Sequence, residues 1–365
     1  MSHFGDTLPR NVITRLAASL HRVFGYAIGL VQGRIKEITM KNALMIGIAG
    51  LALVACSGET ATQTAGPEDA VKTEVAAAEA PAAGSMEAVL AGSWRSDANK
   101  ARDAFRHPAE TLAFFDVAAD ETVIEISPGG GWYTEVLAPY LAAGGGTYIA
   151  STRGDAERDA TFVEKFSDEA VFGTVNLGVL GTDSIAAGSA DTVLTFRNIH
   201  NWMRGGTEAD VFANAYAALK PGGVFGVIEH RLPSSAEQDP TGGTGYVHED
   251  YAIELGKAAG FEFAGSSEIN ANPKDTADHP IGVWTLPPVS AGDREGIEFP
   301  EGFDPADYDS AKYKAIGESD RFTLKFVKPL TAAAVVDGAV KKVSATTEKA
   351  AGSAADLVEG AGAGS

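Results

Sequence analysis

Between Thr122 and Val327 the chain alternates between two patterns: short apolar, β-branched runs and longer stretches with apolar residues three and four apart. Thr122–Ser127, Thr147–Ser151, Phe172–Leu177, Asp191–Arg197, Val224–His230, Glu262–Ile269 and Arg321–Val327 predict strands. Trp132–Leu141, Asp155–Phe166, Thr207–Leu219 and His248–Ala259 predict helices, the last stopped by Gly260. Upstream, Ser96–Phe105 and Pro108–Phe115 predict two short helices, with Pro108 at a first helical position. Strict alternation predicts an α/β fold: a doubly wound, mostly parallel seven-stranded sheet with helices on both faces. No helix separates the last two strands, so one of them is expected to run antiparallel. Residues 270–320 break the rhythm; a polar, proline-rich segment this long is expected to be a lid or an acceptor-binding element.

The richest local signal follows the first strand. In Val123-Ile-Glu-Ile-Ser-Pro-Gly-Gly-Gly-Trp-Tyr-Thr-Glu135 an apolar run meets a glycine cluster and then helical spacing. That predicts strand, tight turn and helix start, with bare backbone N–H groups at the positive end of a helix dipole. Glycines let a ligand approach the backbone closely. Glu125 is placed to accept hydrogen bonds from ligand hydroxyls or an amino group. The turn lacks G-x-G-x-x-G, and no Lys-Ser or Lys-Thr follows it, so neither the dinucleotide fingerprint nor the P-loop fits.

The spacing of Glu125, Ser127, Gly129 and Gly131 resembles the first motif of class I S-adenosylmethionine-dependent methyltransferases, with Ser127 where that family usually has glycine. Three more segments resemble the same family in the same order: Asp191-Thr-Val-Leu194, Leu219-Lys-Pro-Gly-Gly-Val-Phe225 and Ala258-Ala-Gly-Phe-Glu262. The resemblance covers about residues 105–329. The phrases Pro128–Glu135, Phe196–Trp202 and Ile269–Asp275 look like a bacterial group of predicted methyltransferases. The resemblance implies a Rossmann-like methyltransferase fold, S-adenosyl-L-methionine as cofactor and methyl transfer to a small-molecule acceptor.

Ligands of such sheets bind at the carboxyl ends of the strands, near the reversal of strand order. By that rule and the resemblance, Glu125, Ser127, Gly129, Gly130, Gly131, Thr182, Asp183 and Asn198 are the expected cofactor residues. The family's ribose-binding acid after the second strand has only Asp155 as a counterpart, and it stands late. Arg197, His200, Asn201 and His230 are the expected catalytic residues, the histidines as bases because imidazole titrates near neutral pH. Either histidine is alternatively a hydrogen-bonded structural residue. Glu229 and His230 are neighbours on a strand, so one of them at most is expected to face a given cleft. Trp202 is a candidate for stacking on a ring or sulfonium, and Trp132 is expected in the core. Arg95, Arg102 and Arg106 either form a basic face over the site or, as expected here, coat a helix. The residues His200, His230, His248, Glu249, Asp250 and His279 have no tight ligand spacing, and no metal is expected.

The 365 residues suit one large or two small domains, and the net charge of -20 argues against nucleic acid as the main partner. Cys56 is the one cysteine, which excludes an intramolecular disulfide and a cysteine-based zinc site. Met40-Lys41, the apolar run Ala43–Ala55 and Leu53-Val-Ala-Cys56 resemble a bacterial lipoprotein signal and its lipobox. The resemblance implies cleavage before Cys56, lipidation of Cys56 and a membrane anchor in the cell envelope, facing the periplasm. Translation is then expected to start at Met40 rather than Met1. The resulting division is leader and signal 1–56, flexible tether 57–85, catalytic-type domain 86–329 with the 270–320 insertion, and a low-complexity tail 330–365.

Export and chemistry pull apart, because S-adenosylmethionine is made in the cytoplasm. One expectation is a working methyltransferase, cytoplasmic if the signal is spurious. The other is an exported lipoprotein that uses the fold as a non-catalytic ligand- or partner-binding module. Oligomeric state is not legible. If Cys56 is lipidated, cells expressing the full chain incorporate radiolabelled palmitate into it and Cys56→Ser abolishes the label. A mature chain that keeps residues before Cys56 sinks the lipoprotein reading.

Overall fold

The structure is a computed structural model and describes residues 82–331. The leader, Cys56, nearly all of the tether and the tail after Thr331 lie outside the described residues. The chain enters through α1 (Met86–Ala91), α2 (Asp97–Lys100), α3 (Asp103–Arg106) and α4 (Pro108–Phe114). Strands β1 (Thr122–Ile126), β2 (Thr147–Ser151), β3 (Val175–Gly178), β4 (Ala190–Phe196) and β5 (Leu219–His230) then alternate with α5 (Thr134–Gly144), α6 (Ala156–Lys165), α7 (Glu169–Phe172), α8 (Ile199–Gly205) and α9 (Glu208–Ala218). After α10 (Glu249–Ala258) come β6 (Glu262–Ser267), α11 (Ser310–Ile316) and β7 (Arg321–Val327).

The strands form one seven-stranded sheet in the order β3-β2-β1-β4-β5-β7-β6. β1 through β5 pair in parallel, while β7 runs antiparallel to both β5 and β6. This is the expected doubly wound sheet, with the expected antiparallel strand. Strand order reverses between β1 and β4, so the connections after these two strands leave on opposite faces and open a crevice at their carboxyl ends.

Both faces of the sheet are sealed by apolar side chains. On one, Phe212, Phe225, Phe261 and Phe326 pack with Val193, Val227 and Leu324. On the other, Leu112, Phe115, Val136, Leu137 and Leu141 pack with Val123, Leu194 and Ile228. Burying each such side chain stabilises the fold by about 1.5–3 kcal/mol. Because β4 and β5 are covered on both faces, they read as continuous apolar runs.

Several local expectations are corrected. Ser96–Phe105 is two short helices, because residues 101–102 form a turn between them. Phe172 ends α7 rather than opening a strand, and β3 starts at Val175 after Gly173 (φ +60°) turns the chain. The polar cluster after β4 continues into α8, which is too short to show a helical period in the sequence. The 270–320 segment is ordered by short 3-10 turns and by α11.

Gly226 lies where β5 packs closely against β4 and Phe115. A Cβ there would stand 2.7 Å from Leu194 Cδ2 and 2.8 Å from the Phe115 ring. Gly226→Ala is therefore expected to destabilise the protein by about 1–3 kcal/mol through overpacking. Chemical denaturation measures it; an unchanged midpoint would show that Phe115 has room to move.

Candidate active site

The site is assembled at the carboxyl ends of β1, β2, β4 and β5. Directly after β1, Ser127 (φ +51°) and Gly129 (φ +60°) turn the chain through left-handed backbone. Directly after β4, Arg197 (φ +64°) does the same. Two non-glycine residues thus carry left-handed strain on the two strands that flank the reversal point, a pattern typical of functional positions. Glycine would adopt such a φ at lower cost than Ser127 does.

Two cavities meet at the turn. One of about 630 Å³ is lined by Thr152, Gly154, Asp155, Asp159, Phe162 and Asn201 together with Ser127, Pro128, Gly129 and Asn198. The other, of about 400 Å³, shares those last four residues and adds Arg102, Arg106, Glu125, Gly130, Trp132, Lys165 and Arg197. A Cβ on Gly129 or Gly130 would meet nothing within 4 Å, so the turn's backbone lies bare to this joint space. Lys165 Nζ donates to the Gly130 carbonyl at 2.6 Å and fixes the turn. Asn198 holds the opposite wall, its amide donating to Ile126 O and to Thr195 Oγ1.

A third cavity of about 180 Å³ lies on the other side of Arg197. It is lined by His200, His230, Val283, Trp284, Pro287, Pro288, Val289, Glu318 and Ser319, so residues of the 270–320 segment share a cavity with the histidines. Here Glu229 is the organising residue. Its carboxylate sits 3.1 Å from His200 Nδ1 and accepts from the backbone N–H of His200 and of His230, at 3.3 and 2.8 Å. As expected for neighbours on a strand, His230 lines this cavity and the fully buried Glu229 does not; Glu229 reaches it only through its hydrogen bonds to His200. Nδ1 of His230 pairs with the Ser319 hydroxyl. His230 is held well below the usual imidazole range by burial, then by His200, Arg197, Arg321 and Arg106. His200, Glu229 and His230 bring ligand-type atoms within 4.8 Å of one another. The same three arginines make that spot hostile to a cation, and Glu229 already spends its oxygens on hydrogen bonds.

Charge in the central cavity is dense. Glu318 accepts from Arg102 Nε (2.6 Å), Arg106 Nε (3.0 Å) and Arg321 Nη1 (3.1 Å). Burial alone would raise its pKa, but Arg106, Arg321, Arg102 and Arg197 overcome burial and hold it at about 2. Arg197 is pushed down to about 10 by loss of hydration and then by Arg321. Arg106, fully buried over the Trp132 ring, leaves its Nη2 without a hydrogen-bond partner among the described residues. Glu125 accepts from the Thr134 and Tyr148 hydroxyls through Oε2. Burial nevertheless raises it to about 7.

The sequence-predicted residues separate into three groups. The structure gathers Glu125, Ser127, Gly129, Gly130, Arg197, Asn198, Asn201, His200 and His230 along these cavities. Gly131 lines none of them; its missing Cβ makes room for the Phe166 ring. Thr182 and Asp183 line a separate cavity beside Asn214, and the Thr182 hydroxyl is turned back onto Val179 O. Trp132 is in the core as expected, and its edge also borders the 400 Å³ cavity, whereas Trp202 is buried against Phe212 and lines none of these cavities. Arg102 and Arg106, expected to coat a helix, line that cavity, whereas Arg95 is buried on Asp103. Asp159, Lys165, Glu318, Ser319 and Trp284 were not legible, because nothing near them in sequence marks them.

No family model matches this chain, and no curated protein sequence does. Among solved structures, it is similar to a SAM-dependent methyltransferase from Aquifex aeolicus at 12% identity and TM-score 0.40, covering 62% of this chain and 93% of that one. It is also similar to SAM-dependent methyltransferases from Methanosarcina mazei (12% identity, TM-score 0.39, 60% and 97% covered) and to the [4+2]-cyclase SpnF (15% identity, TM-score 0.44, 62% and 81% covered). These are likenesses of fold.

Glu125 generates a pH prediction. Its folded pKa, about 7, lies above the 4.5 of the unfolded chain. A raised folded value means stability that is complete below the unfolded pKa and is lost as pH rises through the folded one. The loss amounts to about 3 kcal/mol across that window, at 1.36 kcal/mol per unit. Glu125→Gln keeps an acceptor for Thr134 and Tyr148 and cannot ionise, so its advantage over wild type should grow between pH 5 and pH 8. Parallel stability curves for the two proteins would show that Glu125 ionises as an ordinary carboxylate.

Proposed function

We propose that this protein transfers a methyl group from S-adenosylmethionine to a small-molecule acceptor, with His200 as general base. The observation that carries the reading is the bare glycine turn at the strand-order reversal, where two cavities join into one extended seat. The residues fit the cofactor's chemistry. Asp155 and Asp159 supply acceptors for ribose hydroxyls in the larger cavity. Gly129 and Gly130 leave the space a ligand backbone contact needs. The unpartnered Nη2 of buried Arg106 is a donor for a carboxylate in the smaller one. Bound there, S-adenosylmethionine supplies a methyl on a sulfonium that leaves as a neutral thioether when the acceptor's lone pair takes the methyl.

The chain's own contribution is orientation and proton removal. Glu229, buried and fixed by two backbone N–H groups, accepts the Nδ1 proton of His200. That leaves Nε2 as the acceptor for a proton from a hydroxyl or amine nucleophile. His230 stays neutral and keeps a second positive charge away from the base. Trp284 stands edge-on to His200, ring centres 6.0 Å apart, and with Pro287 and Pro288 lines the same cavity. For the location, we propose a lipid anchor at Cys56 in the cell envelope; the lipobox resemblance supports it, and the cytoplasm is the alternative.

Isothermal titration of the full chain tests the reading. S-adenosylhomocysteine should bind in the micromolar range. Gly129→Val should abolish binding, because a β-branched side chain at φ +60° is strained and projects into the open space. His200→Gln should keep the affinity within about threefold while lowering turnover of any accepted substrate by about 10²-fold or more. No binding of either S-adenosylmethionine or its demethylated product at millimolar concentration retires the proposal.

A further inference from the structure

The central cluster holds more positive charge than it neutralises. Arg102, Arg106, Arg197 and Arg321 all act on Glu318, and Glu318 hydrogen-bonds three of them. Arg197 makes no hydrogen bond or ion pair with its side chain among the described residues, although it borders both the 400 Å³ and the 180 Å³ cavities. The next carboxylate acting on it, Glu229, is committed to His200 and to the His230 amide. Arg197 is partly buried, and a guanidinium that faces a cavity within a cationic cluster and has no anion of its own is held there at a cost. In a chain of net charge -20, such a local excess of cation points to a ligand that brings the missing negative charge.

We propose that Arg197 receives a carboxylate of the methyl acceptor, so that the acceptor is a small organic acid seated in the 180 Å³ cavity with its nucleophile toward His200. This rests on the methyl-transfer reading above. The cavity is slightly larger than the 150 Å³ or so that encloses benzene. Its apolar lining is Val283, Trp284, Pro287, Pro288 and Val289; Glu318 lines it too, but its carboxylate is taken up by Arg102, Arg106 and Arg321. A single ring or a short chain bearing one carboxylate satisfies both walls: the acid pairs with the planar guanidinium in two parallel hydrogen bonds, and the body lies against the indole. Arg106, on the other side, remains for the cofactor, which keeps the two anions apart.

Titration calorimetry with the full chain, saturated with S-adenosylhomocysteine, tests this with benzoate and 4-hydroxybenzoate as probes against benzamide and 4-hydroxybenzamide. The acids should bind at least tenfold more tightly than the amides. Arg197→Gln should remove that preference, lower the acids' affinity at least tenfold and leave S-adenosylhomocysteine within about threefold. Arg197→Lys, a charge without the fork, should fall between. The Gln variant loses repulsion with Arg321 together with attraction to Glu318, so its melting curve is recorded beside each titration, and a cooperative melt near wild type separates lost binding from lost folding. Equal affinity for acids and amides, no acid binding at tens of millimolar, or an unaffected Gln variant overturns the proposal. A variant that loses S-adenosylhomocysteine but keeps the acids also overturns it, by assigning the guanidinium to the cofactor. Acids that bind through Arg197 in a wild type that never binds S-adenosylhomocysteine leave the anion site standing and remove the methyl-transfer reading.

Discussion

The carboxylate of Glu318 is the contact on which the site depends. It sits just before β7, yet its partners Arg102 and Arg106 come from the opening helices, more than two hundred residues earlier in the chain. Arg321, three residues on, closes the cluster and also donates to Phe105 O. One buried acid thus ties the entry helices to the last strand directly over the carboxyl ends of β1 and β4. Such a group does not add stability in the way a packed phenylalanine does. Removing one partner of a buried charge network costs about 3–5 kcal/mol because the others are left bare. The arginines hold Glu318 ionised at about 2, so the tie persists at any physiological pH. Neighbouring Ser319 extends the same segment to His230, and Asp320 N–H donates to Asp275, which anchors the insertion. A single stretch, 318–321, therefore positions the central cavity, one histidine and the covering segment together.

Backbone strain is concentrated at the same place. A doubly wound sheet must send its chain to opposite faces on either side of the reversal, and here Ser127 and Arg197 absorb the turn with positive φ. Glycine would hold either position at lower cost. Each side chain instead lines the cavities, and Arg197 divides two of them. Local stability is given up where a side chain is needed at the strand end, which is the usual reason such strain survives.

The fold was legible because its signals are local. Apolar runs of five to seven residues, helical spacing between them and the turn chemistry of Gly129–Gly131, Lys220–Gly223 and Gly260 each need only neighbouring residues to be understood. The glycine turn and the polar cluster 197–201 were legible for the same reason. What stayed hidden depends on partners far away in the chain. Glu229 and His200 were both visible as polar residues at strand ends, but their pairing requires β5 to lie beside β4. Arg102 and Arg106 read as surface residues until Glu318 is brought to them. Trp202 was misplaced because the alternative to solvent for a tryptophan is either a core or a cavity wall, and sequence spacing is the same for both. Thr182 was misplaced because a short hydroxyl residue caps its own loop more readily than it reaches a ligand.

These costs bear on whether the domain catalyses or only binds. A module that merely recognised a partner would gain nothing from a buried Glu229–His200 pair, a neutral His230 beside it and an unneutralised Arg197. Each of these lowers stability relative to an apolar wall, and none offers contact area to a protein surface. On the proposed reading they would supply an oriented base, a cavity and a charge to hold a substrate, three properties that catalysis requires and adhesion does not. Every one of them lies within the described residues 82–331. An anchor at Cys56 would decide where the methyl donor must be met, not what the site does with it. The polar cluster at the ends of β4 and β5 therefore supports an enzyme over a binding module even if the chain is exported.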